Sequence, residues 1–153
     1  MSPEIHYLPF AALPQISRGQ SIVNCLIVSK KLGAKNIHSG ITRLPAGGVV
    51  PRHSHNAEEQ VTVLEGRLRI VLADQTFDCG PYDSTFISAG VQHEFSNIGP
   101  ESALVMVIYG SSHVTRTFAG SGETVEIGSD RDRFPAAPAA LASGLVSGLA
   151  PGA

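Results

Sequence analysis

The chain has 153 residues, a formal net charge of -2, 42% hydrophobic and 16% charged residues. That is enough apolar material for one domain with its own core, and too much for a disordered chain. There is no basic stripe to neutralise phosphates, no apolar run approaching the ~20 residues of a membrane span, and no positive-then-apolar leader, so a cytoplasmic protein without nucleic-acid or membrane partners is expected.

Sixteen glycines and ten prolines imply many turns and few long helices, which favours an all-β chain. Residues 1–20 contain Pro3, Pro9 and Pro14 and read as an extended arm with room for a strand at its end. Residues 21–29 are rich in β-branched side chains and read as a strand, followed by a basic, glycine-containing turn over 30–35. A second strand over 37–44 ends at Pro45-Ala-Gly-Gly. Residues 49–55 are short and extended, because Pro51 biases its neighbour away from helix. Residues 59–64 and 67–72 flank Glu65-Gly66, a hairpin signal. Further strands are expected over 76–79, 84–87, 93–98 and 103–109, the last almost unbroken in its apolar character and consistent with burial on both faces. One or two more fit 114–118 and 123–127. Short strands with turns at near-regular spacing point to a closed barrel or sandwich. From residue 135 to 153 the composition turns to Ala, Pro, Gly, Leu and Ser with no charge. Gly144 and Gly148 argue against a stable helix over 139–149, so residues 1–134 are expected to form the barrel domain and 135–153 a tail.

Side chains two apart on a strand point to the same face. His53 and His55 therefore project together. Glu59 shares its face with Val61 and Val63, and a carboxylate among valines needs compensation. A metal with histidine ligands supplies it. His93, Phe95 and Asn97 share a face by the same test. We therefore read His53, His55, Glu59 and His93 as the ligands of one divalent metal inside a small barrel. A shift of one residue would bring Glu58 or Gln60 inward instead. Val61, Val63 and Phe95 would line a largely apolar substrate pocket, or form plain barrel core. His6, His38 and His113 read as hydrogen-bonded core or surface residues, and Cys25 and Cys79 as reduced core thiols. Three imidazoles and a carboxylate suit Fe(II), Mn(II), Ni(II), Co(II) or Zn(II), with iron or manganese favoured.

Gly47, five residues, His53-x-His55, three residues, Glu59, six residues and Gly66 resemble the first motif of the cupin superfamily without a gap. Gly90-Val-Gln-His93-Glu-Phe-Ser-Asn97 resembles the latter half of the second motif. Its first half departs, with Tyr82 where a glycine is expected and Ser88 where a proline is expected. The resemblance spans residues 37–110. It implies a jelly-roll β-barrel of six to eight strands holding one divalent metal through three histidines and a glutamate. It also implies a homodimer in which the N-terminal segment adds to the partner's sheet. The family includes dioxygenases, isomerases, decarboxylases, lyases and cyclases as well as binding proteins, so the fold alone does not choose an activity. The leading expectation is a metalloenzyme acting on a small oxygen-bearing organic compound, with dioxygenation (an oxidoreductase) first. Metal-assisted isomerisation, decarboxylation or elimination comes next, then a binding module without turnover. A structural zinc fits least, because a chain of this size has core enough to fold unaided.

Overall fold

A computed structural model describes residues 3–135; the tail expected over 135–153 lies outside them beyond its first residue. Twelve antiparallel strands form two six-stranded sheets. In chain order they are β1 (Gln15–Ser17), β2 (Val23–Val28), β3 (His38–Leu44), β4 (Val49–His55), β5 (Glu59–Glu65), β6 (Leu68–Leu72), β7 (Gln75–Cys79), β8 (Ser84–Ile87), β9 (His93–Asn97), β10 (Ala103–Tyr109), β11 (Thr115–Phe118) and β12 (Thr124–Glu126). One sheet has the order β1-β2-β3-β10-β5-β8, the other β12-β11-β4-β9-β6-β7. The two face each other as a jelly roll. Their inner faces bury Leu44, Val61, Val63, Leu68, Ile70 and Val105, each fully excluded from solvent.

The alternation along β5 explains why it forms and which way it faces. Glu59, Val61 and Val63 are buried, while Gln60 is exposed. Parity is interrupted on β4. Val50 and His53 both point inward although three positions apart, because the pairing with β9 slips between them. Pro51 sits in that slip, where its missing N–H removes no ladder bond. This bulge carries His53 and His55 to the inner face.

Two expectations need correction, and one departure from the motif is accommodated. Glu65-Gly66 does not close a hairpin. β5 pairs with β10 and β8, whereas β6 pairs with β7 and β9, so the chain crosses between sheets at this turn. Gly66 has φ +86°, and a Cβ there would lie 2.9 Å from the Cβ of Ala103, so the crossing needs a residue without a side chain. Next, β10 is not buried on both faces. Its residues alternate between buried and half-buried, since among the described residues no second layer covers the outer side of this sheet. Finally, Tyr82, which stands where the motif expects glycine, keeps the backbone a glycine would adopt, with φ +71°. It is the third residue of the Gly80–Asp83 turn, closed by the Asp83 N–H donating to the Gly80 carbonyl at 3.1 Å. Pro81 followed by a positive φ is the pattern of a type II turn.

Asn97, the last residue of the second motif, is a structural clamp. Its amide donates to the carbonyls of Leu44, Pro45 and Glu101, and its Oδ1 accepts from the Gly99 N–H. Cys25 and Cys79 are both free and buried, as expected.

Candidate metal centre

The site is assembled by cross-strand neighbours. On one sheet His38 pairs with Tyr109, and Tyr109 with Glu59. On the other, Phe118 pairs with His53 and His53 with His93, while Arg116 pairs with His55. These two rows face each other across the barrel interior. Glu59, His53 and His93 are each 1% exposed, and His55 is 5% exposed.

Each of the three imidazoles has its tautomer set by a backbone carbonyl. Nδ1 of His53 faces the Pro51 oxygen at 2.6 Å, that of His55 the Thr115 oxygen at 2.9 Å, and that of His93 the Val91 oxygen at 2.8 Å. A carbonyl only accepts, so the proton sits on Nδ1 and Nε2 carries a bare lone pair. The lone-pair nitrogens converge. Nε2 of His53 and Nε2 of His55 are 3.0 Å apart, and a nitrogen of each of the three rings lies within 4.8 Å of the others. Glu59 Oε2 comes within 2.9 Å of His93 Nε2 and 3.5 Å of His55 Nε2. These approaches are not aligned as hydrogen bonds: both Glu59 oxygens and His93 Nε2 are buried without a hydrogen-bond partner among the described residues. The three histidines have ligand nitrogens close to one another, and the Glu59 carboxylate lies beside those of His93 and His55.

Electrostatics sharpens the picture. Burial, reinforced by Arg116, pushes His53 well below its ordinary value. Burial, only partly offset by Glu59, brings His55 down to about 4. These two rings are therefore neutral near pH 7. Burial pushes the Glu59 carboxyl up, but His93, His55 and Arg116 together hold it below its usual value, so it is ionised. A buried anion beside imidazole lone pairs with no proton between them is an arrangement of acceptors without donors. Buried unpaired acceptors are costly. A divalent cation held by the three imidazoles would offset that cost, and imidazole donors suit a first-row metal. The three histidines expected from sequence thus form one group that could hold a metal ion. Glu59 lies against two of them.

Next to the histidines is a cavity of about 30 Å³ bordered by Arg18, His38, Phe95, Tyr109, Arg116 and Asp132. At roughly 10–15 Å³ per water in this measure, it has room for water and not for an organic molecule. Its lining is mixed, with Arg18, Arg116 and Asp132 charged and Val50, Phe95, Val107, Ile127 and Phe134 apolar. Of the three residues assigned to a substrate pocket, Phe95 borders the cavity, while Val61 and Val63 do not. Parity assigned the side correctly but carries no information on depth. Two positions along a strand is about 6.6 Å, so Val61 and Val63 run away from Glu59 into the sealed core.

Several residues of the site were not singled out from sequence. Tyr109 is 3% exposed, and its ring centroid is 4.9 Å from that of His55. Burial and the Glu59 charge push its phenol well above the ordinary value, so it stays protonated. Arg116 lies between Val114 and Phe118 in strand parity, and both are buried. The parity test that found Glu59 would have found Arg116 too. Arg18 and Asp132 lie outside the strands, where no such signal exists. His38 is a buried ring against Tyr109. His6 and His113 are exposed, in keeping with their reading as surface residues.

A two-sheet antiparallel barrel with three clustered imidazoles that could hold a metal ion sets the class, a small β-barrel with a candidate metal centre. The family model described as the cupin domain matches residues 40–109, just under half of the chain and the stretch that holds all four candidate ligands. Among curated proteins it is similar to polyketide synthase CurC of Streptomyces cyaneus, 31% identical over 91 residues, 59% of this chain and 58% of that protein's length. Among solved structures it is similar to the polyketide cyclase RemF of Streptomyces resistomycificus, with a TM-score of 0.61, 20% identity, and coverage of 86% of this chain and 89% of that one. A sugar phosphate isomerase of the cupin superfamily from Silicibacter pomeroyi gives a TM-score of 0.61 at 18% identity, covering 86% of this chain and 98% of that one. At these identities the structural likenesses establish the fold. Among the described residues no helix is long and apolar enough to cross a membrane.

Proposed function

We propose that this protein is a divalent-metal-dependent enzyme, with His53, His55, His93 and Glu59 as the metal ligands, that rearranges a small oxygen-bearing organic compound by proton transfer, as a polyketide-type cyclase or isomerase does. The observation that carries the reading is the clustering of bare Nε2 lone pairs beside a buried carboxylate without a hydrogen-bond partner among the described residues. When bound, the metal supplies a positive charge that stabilises an enolate or alkoxide. The chain's own residues supply the rest. Tyr109, kept protonated beside His55, can hold a proton for a substrate oxygen. Arg116, the cross-strand neighbour of His55, adds a fixed cation. The name of RemF, a polyketide cyclase, supports cyclisation over the other chemistries found on this fold, and that of CurC, a polyketide synthase, supports a polyketide-type substrate. Dioxygenation, the first expectation from the ligand types, is the second reading and rests on that ligand set alone.

The test starts with elemental analysis of protein purified without a metal-affinity step. The loaded protein is then incubated with linear polyketones, diketones and phenols, with oxygen uptake and product mass recorded. A product isomeric with its substrate, or lighter by one water, with no oxygen consumed, is expected. Oxygen consumed and incorporated would favour dioxygenation, and metal binding without any turnover would favour a binding module. Absence of metal after loading would remove the site.

A further inference from the structure

Beside the histidines, Arg18, Arg116 and Asp132 form a second buried polar cluster, exposed by 3%, 7% and 0%. Arg116 Nη1 donates to Asp132 Oδ1 at 2.6 Å. Arg18 Nη1 lies 3.6 Å from Asp132 Oδ2 and donates to the Asp132 backbone carbonyl at 3.2 Å. Two guanidiniums thus share one carboxylate. Arg116 Nε, also buried, has no hydrogen-bond partner among the described residues, and its side chain borders the cavity beside the histidines. A buried ion cluster is a poor way to stabilise a core, since apolar residues of similar size do as well. Paired arginines are instead a means of recognising carboxylates.

Asp132 comes from outside the barrel walls. It follows the last strand, in a stretch where Arg131, Arg133 and Pro135 are exposed while Asp132 and Phe134 turn inward. The Phe134 ring lies over Arg116, its centroid 4.6 Å from Cζ. The stretch is tied down by the Phe134 N–H to the Arg18 carbonyl and by Gln20 to the Pro135 carbonyl. It therefore brings a carboxylate and an aromatic ring onto one guanidinium, the carboxylate at Nη1 and the ring over Cζ. The cavity left beside it is too small for an organic molecule, so a substrate needs the space this strap fills.

We propose that Arg18 and Arg116 are the recognition site for the carboxylate of a flat aromatic acid, and that residues 131–135 occupy this site in cis and withdraw when the acid binds. The acid's carboxylate takes the place of Asp132 beside the arginines, and its ring enters the space that Phe134 vacates. Arg116 stands opposite His55 on the neighbouring strand, so a ligand held there lies against the histidine group. This assigns a substrate class to the metal-dependent reading above and rests on it for the reaction, but not for the binding.

The test uses the intact, manganese-loaded chain with 2-naphthoate as probe and neutral 2-naphthamide as control. Asp132→Asn, which keeps the shape and removes the competing charge, is expected to bind 2-naphthoate at least tenfold more tightly than the wild type, with 2-naphthamide unchanged. Adding Arg116→Gln to that variant should abolish the gain. In the wild type, millimolar 2-naphthoate should accelerate tryptic cleavage after Arg133 severalfold, a measurement that needs no variant to fold. Equal affinity of wild type and Asp132→Asn, an equal gain for acid and amide, or tryptic cleavage unchanged or slowed by the acid would each overturn the proposal. Metal content of the same samples separates the two readings. One metal per chain with no response at Asp132 sinks the strap and leaves the metalloenzyme. A naphthoate response in protein that takes up no metal does the reverse.

Discussion

Replacing His93 with alanine should uncouple metal from stability. His93 is 1% exposed and brings one of the converging Nε2 atoms. A metal present at a hundredfold over its Kd stabilises the folded state by about 2.7 kcal/mol. For a chain of this size that raises the melting temperature by roughly 5–10 °C. Loss of one ligand lowers affinity by at least the ~100-fold that lost supporting contacts can cost, leaving about 0.4 kcal/mol and a shift of roughly 1 °C. In the metal-free protein two effects oppose each other. Packing around the ring is lost, but the facing lone pairs of His53 and His55 lose one competitor. The metal-free melting temperature should therefore fall less than in Phe95→Ala, which loses packing alone and costs about 3–5 kcal/mol. The assay is thermal melting of chelated protein titrated with manganese or zinc. A His93→Ala protein that keeps the whole metal-induced shift would refute the site, because it would place the ion elsewhere.

Three further outcomes are expected. Tyr82→Gly should stabilise the protein by about 1 kcal/mol, since Tyr82 is 82% exposed and held at φ +71° where an L side chain is strained; a fall in melting temperature would show that the ring makes contacts worth more than the strain. Gly66→Ala should destabilise it by about 2 kcal/mol or more, from φ +86° and a 2.9 Å clash with Ala103, while the metal-induced shift persists. The third concerns pH. Burial holds His38, His53 and His55 below 6.5 in the folded state, so below pH 6.5 the unfolded chain binds protons that the folded one refuses. Stability of chelated protein should then fall as pH drops from 6.5 towards 4 and be insensitive to these groups above about pH 7.5. His55 alone, brought to about 4, contributes about 3 kcal/mol across that interval. Melting temperatures constant from pH 7.5 to 4.5 would contradict the neutral rings.

Most strand boundaries and the inward register of the candidate ligands were legible in the sequence, for a local reason. Side chains alternate along a strand, and glycine and proline interrupt it, so Glu59 with Val61 and Val63, or His93 with Phe95 and Asn97, declare their face without reference to any other strand. The same rule would have exposed Arg116. Bulges escape it, as Pro51 shows, though there the slip brought His53 and His55 inward together.

What lies across from what was decided only by the tertiary structure. Glu65-Gly66 has the composition of a hairpin, yet its strands part into different sheets, because pairing partners are chosen by the whole barrel and not by the turn. Asp132 and Arg18 are 114 positions apart and meet only when the segment after the last strand folds back onto the first. The charges that border the cavity and its small size follow from that meeting. The sequence by itself determined the fold family, the inward face of each strand and the chemistry of the donor atoms, all carried by near neighbours along the chain. The tertiary structure decided the depth at which side chains meet, the partners of the two arginines and what fills the space beside the histidines, because those depend on distances between segments that no local pattern encodes.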